Sequence, residues 1–230
     1  MVCGGFVSGD LDGYDWIGGT IARQARAVVV SVGYRLAPTH RWPVPVEDCW
    51  AARLDVVERA DEWQADGPRL AVVGDSAGGN LAAVLTLMPR DHGGPRISMQ
   101  WLIYASTDMD SESPSMVANV DAPVLTQADA EAYRDLYVPN PADRHHPHAS
   151  PQRAENHRDL PPALVQVADF DPLRDDGLRY GRTLREAGVP ARVTSYVGMP
   201  HGFLSFPGIY HAAPQALAEL SAEPRQCLAD

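Results

Sequence analysis

The sequence predicts an α/β fold, with a mostly parallel sheet covered by helices on both faces. Three observations carry that expectation. The runs Leu70-Ala71-Val72-Val73 and Ala163 to Ala168 are nearly all apolar, as in strands buried on both faces. Helical patterns separate most such runs, as parallel crossovers require. Finally, Gly74-Asp75-Ser76-Ala77-Gly78 sits where one run meets a small-residue helical stretch. That strand-turn-helix context is the one in which a G-x-S-x-G serine is pushed out above the sheet.

The 230 residues suffice for one domain, 1–230, and 45% hydrophobic with 21% charged content supplies an ordinary core and surface. A net charge of -11 argues against nucleic acid or an anionic membrane as partner. The cysteines, Cys3, Cys49 and Cys227, are odd in number and lack metal-type spacing, so no disulfide framework or metal centre is expected. No apolar run reaches the length of a membrane span, and no basic-then-apolar leader opens the chain. The expectation is a cytoplasmic protein.

In chain order, Tyr14 to Ala25 reads as a helix and Ala27 to Val32 as a buried strand. Val46 to Trp63 reads as an amphipathic helix entered after Pro43 and Pro45. Leu70 to Val73 is the next strand, followed by a helix from Ala77 to about Met88. Ile97 to Tyr104, Ala163 to Ala168 and Ala191 to Val197 read as further strands. Asp175 to Ala187, closed by Gly188, and Pro214 to Glu223 read as helices. The interval 106–162 breaks the rhythm. It is polar, rich in proline and histidine, and holds one clear helical pattern, Gln127 to Tyr137. So long an interval between two sheet strands is expected to be a lid- or cap-like insertion.

A serine nucleophile needs a base, and the base needs an orienting acid. In open α/β sheets such groups come from loops at the carboxyl ends of strands. Asp169, Asp171, Asp175 and Asp176 follow one strand, and His201 follows the next. Asp171, held before Pro172, is the better acid, while Asp175 and Asp176 suit a helix cap. The order Ser76, Asp171, His201 matches one of the known orders of serine triads. His145, His146 and His148 lack partner carboxylates at ligand spacing and read as a solvated loop. The oxyanion needs N–H donors. Ala77, after the serine, is one, and Gly4-Gly5-Phe6-Val7-Ser8-Gly9-Asp10 is the candidate loop for the rest.

Taken together, several stretches resemble the hormone-sensitive-lipase branch (bacterial family IV) of the α/β-hydrolase fold. They are Gly4 to Asp10, Tyr34-Arg35-Leu36-Ala37-Pro38, Pro45 to Cys49, Gly74 to Asn80, Asp171 to Gly177, Ala187-Gly188-Val189-Pro190 and His201-Gly202-Phe203. The resemblance implies Ser76 as nucleophile, Asp171 as acid and His201 as base, with oxyanion donors on Gly4, Gly5 and Ala77. It implies a small-molecule ester substrate with a short to medium acyl chain, no metal and no organic cofactor, and it admits a homodimer. Two departures stand out. The family's His-Gly-Gly-Gly loop is here Val2-Cys3-Gly4-Gly5, so the bracing histidine is replaced. The cap and first strands that precede this loop in the family are not in the sequence, so an N-terminally truncated version of the fold is expected. A ligand-binding protein on the same fold, an inactive fragment and an amide hydrolase stay open as alternatives. His201 argues against the first, since binding proteins of this branch lack that histidine.

Overall fold

The computed structural model describes residues 1–67 and 69–227, with side chains through residue 222. Four parallel strands form the sheet, β1 (Ala71–Asp75), β2 (Met99–Ile103), β3 (Ala163–Phe170) and β4 (Ala191–Pro200), in the order β1-β2-β3-β4. The register aligns Asp75 with Ile103, and Ile103 with Gln166. Among the described residues seven α-helices accompany them: α1 (Asp15–Ala25), α2 (Val44–Glu58), α3 (Ala77–His92), α4 (Pro114–Ala118), α5 (Gln127–Tyr137), α6 (Arg174–Glu186) and α7 (Ala212–Cys227).

Adjacent strand residues point to opposite faces, and here both faces are apolar. Val72, Leu102 and Val165 pack beneath Leu81, Val84 and Leu184 of α3 and α6. Val73, Trp101, Ile103 and Leu164 pack on the other side with Ile17 and Ile21 of α1 and Leu217 and Leu220 of α7. This explains why the strands read as continuous apolar runs rather than as alternating ones.

One expected strand is absent. Ala27 to Val32 is not a strand but an extended segment with a single bridge, Val2 to Val32, and Val28 is exposed. Among the described residues only Met1 and Val2 lie alongside it, through Met1 N to Val30 O and Val32 N to Met1 O. Two residues of partner backbone support a bridge and no ladder. The expected helix Val46 to Trp63 also divides, since α2 stops at Glu58 and a 3-10 turn, Ala60–Trp63, finishes the stretch.

The interval 106–162 holds α4 as well as α5, and it is tied to the sheet by side chains. Asn80 Nδ2, fully buried at the start of α3, donates to both Ser106 O and Ala149 O at 2.8 Å. Thr126 and Asp129 form a capping box that starts α5. No described helix is long and apolar enough to cross a membrane. Cys3 and Cys49 are buried free thiols, and the Cys227 side chain lies outside the described part.

Candidate active site

Chain direction places the carboxyl ends of all four strands at one edge of the sheet, and the chemistry collects there. β1 ends at Asp75 and α3 begins at Ala77, leaving Ser76 alone to make the turn. It does so at φ 52° and ψ -119°, a strained conformation for a residue with a side chain. The turn closes because its flanks are glycines. A Cβ on Gly74 would collide with the Gly78 backbone, and one on Gly78 with the Val2 carbonyl.

β4 delivers His201 opposite this serine. Its Nδ1 lies 2.8 Å from Asp171 Oδ2, and its Nε2 lies 2.8 Å from Ser76 Oγ. Asp171 is fully buried, and its second oxygen accepts the Leu173 N–H at 2.8 Å. An ionised carboxylate only accepts, so Nδ1 carries the ring proton and Nε2 is left to accept from the serine hydroxyl. Tyr104 packs its ring 4.8 Å from the imidazole, fixing its plane. The three residues singled out in the sequence therefore meet within hydrogen-bonding reach.

The other aspartates of that stretch have different tasks from those expected of them. Neither Asp175 nor Asp176 caps α6, whose N-cap residue is Leu173 and whose Asp175 N–H donates to Ser115 Oγ at 3.1 Å. Asp175 accepts the Ser115 N–H at 2.9 Å. Asp176 is fully buried, accepts from Ser111 Oγ at 2.5 Å and pairs with Arg179 at 3.0 Å. Burial outweighs that cation and pushes its carboxyl up to about 7. Asp169 accepts the Gly198 N–H at 3.2 Å. The rings of His146 and His148 stack edge-on at 5.0 Å, beside Trp42 and His92. Among the described residues no group of three or more His, Cys, Asp or Glu is placed to hold a metal.

A cavity of about 260 Å³ opens on Ser76. Gly4, Gly5 and Ala77 line it beside the serine, and Phe6, Met109, Val124, Leu125 and Leu173 supply apolar wall. The N–H groups of Gly5 and Ala77 have no protein partner among the described residues. The Gly4 N–H differs from the expectation, because it donates to Tyr14 Oη at 2.8 Å. Tyr14 Oη in turn donates to Asp75 Oδ2 at 3.3 Å, and burial pushes the Asp75 carboxyl up to about 6. Sequence reasoning passed over both residues. Asp75 was visible as the variable position of the serine motif, whereas Tyr14 carries no local signal.

Comparison with known proteins agrees with this arrangement. A family model described as alpha/beta hydrolase fold matches residues 3–205. Esterase LipI of Mycobacterium tuberculosis is 48% identical over 215 residues, covering 93% of this chain and 67% of the relative. Ethyl acetate hydrolase of Pseudomonas putida is 36% identical over 217 residues, covering 93% and 68%. The crystal structure of EstE1, a thermophilic carboxylesterase cloned from a metagenomic library, superposes with a TM-score of 0.95 at 39% identity, covering 99% of this chain and 78% of that one.

Proposed function

We propose, from the fact that this chain belongs to the α/β-hydrolase family, that Ser76, His201 and Asp171 are the catalytic triad of a serine carboxylesterase. It is a carboxylic ester hydrolase. The observation that carries the assignment of roles is the unbroken chain from Ser76 Oγ through His201 to Asp171, each link 2.8 Å.

In the first half-reaction Ser76 Oγ attacks the ester carbonyl while His201 Nε2 takes its proton. The imidazolium, held by Asp171, returns that proton to the departing alcohol. Water then attacks the acyl-serine with His201 again as base, and the imidazolium returns that proton to Ser76 Oγ as the acid leaves. The oxyanion of each tetrahedral state is held by the Gly5 and Ala77 N–H groups, one such donor being worth roughly a hundred- to a thousandfold in rate. The short apolar wall suits acyl chains of short to medium length. The interval 106–162 supplies Val124, Leu125, Ala130 and Tyr133 to that wall and serves as the lid.

Ser76→Ala abolishes turnover of p-nitrophenyl acetate, and a p-nitrophenyl series from acetate to laurate shows kcat/KM falling at the longer acyl chains. Turnover by the alanine variant at the wild-type level sinks the assignment.

A further inference from the structure

We propose that Tyr14 positions the oxyanion loop, its hydroxyl holding the Gly4 peptide so that the neighbouring Gly5 N–H is presented to the developing oxyanion. The inference rests on the triad reading above and names a residue that makes that reading work.

Loop residues 2–6 are held one backbone group at a time. The Val2 N–H donates to Val73 O at 2.7 Å, and Cys3 O accepts from Tyr34 Oη at 3.0 Å. Gly4 N–H donates to Tyr14 Oη, Gly5 O accepts from the Ser8 N–H at 2.6 Å, and Phe6 O accepts from the Ala37 N–H at 3.0 Å. The Phe6 ring lies flat on Tyr137, centroids 3.8 Å apart and planes 9° apart. Within this framework the Gly4–Gly5 peptide carries the unpartnered Gly5 N–H, and the peptide before it, Cys3–Gly4, is secured through the Gly4 N–H by a side-chain hydroxyl from outside the loop.

That hydroxyl is well suited to the task. It accepts from Gly4 and donates to Asp75, which is buried and is itself the residue before the nucleophile. A hydroxyl that donates to a carboxylate is a stronger acceptor, because the two bonds polarise one another. The fit is close: a Cβ on Gly4 would sit 2.7 Å from Tyr14 Oη and 3.0 Å from Asp75 Oδ2. Val2 and Cys3 offer no polar side chain to brace the turn from within, so the brace comes from the residue that precedes α1. The loop that makes the oxyanion hole and the residue beside the nucleophile are thereby locked to one another.

An oxyanion donor matters more in the tetrahedral state than in the ground state, so loosening the loop lowers kcat and leaves KM nearly alone. In Tyr14→Phe we expect kcat to fall roughly 10- to 100-fold, less than the full loss of a donor, with KM within about twofold. The inhibition constant of a trifluoromethyl ketone, which forms an oxyanion on Ser76, should weaken by the same factor as kcat/KM. Rates are expressed per site titrated with a fluorophosphonate. A per-site kcat and ketone affinity equal to wild type overturn the proposal, whether or not the variant melts earlier. If the phenylalanine variant does not fold, Asp75→Asn keeps the hydroxyl and removes only its charged acceptor. A several-fold fall in per-site kcat at constant KM supports the proposal there, and an unchanged kcat overturns it. Failure of wild-type Ser76 to label brings down the triad reading itself, whereas normal labelling with undiminished kcat in the variant brings down only the role of Tyr14.

Discussion

His201 reaches a carboxylate that water cannot reach, and this single contact organises the residue-scale chemistry. The carboxylate keeps the ring in the tautomer that can accept from Ser76, and in the proposed mechanism it stabilises the imidazolium that forms during attack. Asp171→Asn leaves shape and volume almost unchanged but can donate to Nδ1, stabilising the wrong tautomer. We expect kcat for p-nitrophenyl acetate to fall by roughly three to four orders of magnitude with the melting temperature little altered. A fall of less than tenfold would assign the orienting role elsewhere. The proposed triad was legible in the chain because each member stands beside a signal of its own. Ser76 has its glycines, Asp171 its proline and His201 its place after an apolar run. Tyr14 was not, since its hydroxyl is brought to the Asp75 carboxyl across 61 residues by packing alone.

At the scale of elements, two of the side chains that join the interval 106–162 to the helices beside the sheet are Asn80 of α3 and Asp176 of α6, alongside the bonds that Ser115 and Asn119 make to residues 171–175. Asn80 holds two buried carbonyls of that interval from the first turn of α3. Asn80→Ala strands both, at a cost of about 2–3 kcal/mol, or a melting temperature lower by roughly 4–12 °C on calorimetry. Asp176 makes the second join, through Ser111 and the Thr107 N–H to the opening of the same interval. Its carboxyl is raised from 3.8 to about 7 chiefly by burial, so its contribution to stability has a definite sign. A group whose pKa rises on folding stabilises fully below its unfolded value, and that contribution is lost as pH rises through about 7. Asp176→Asn should therefore remove part of the wild-type loss of thermal stability between pH 5 and pH 8. Thermal melts across that range check it, and parallel wild-type and variant curves would show that Asp176 does not titrate there. The helix-cap role expected of this residue failed because local spacing cannot reveal that Ser111, Arg179 and Thr107 converge on it.

Over the whole molecule, one architectural fact places the chemistry: parallel strands end at the same edge. Ser76, Asp171 and His201 follow β1, β3 and β4, and α3 and the loop before α6 start from that edge as well. Apolar runs, glycine-flanked turns and helical periods determine this arrangement locally, which is why the fold class, the four strands of the sheet and the three side chains that meet at their carboxyl edge could be read directly from the chain. The segment 27–32 shows where such reading stops. Its valines have strand propensity, but a ladder exists only where a second backbone lies alongside, and here that backbone is Met1 and Val2. The same limit applies to the oxyanion loop. Glycines at positions 4 and 5 mark the loop proposed for the oxyanion, yet which of its N–H groups is left free depends on which one a distant hydroxyl has already taken. Patterns of apolarity and turn chemistry are short-range and survive in the linear order of residues. Hydrogen-bond partners far apart in sequence are chosen only when the sheet and its helices have closed around them, and in this protein those choices set the contact of Tyr14 with Gly4, the burial of Asp176 and the clamp made by Asn80.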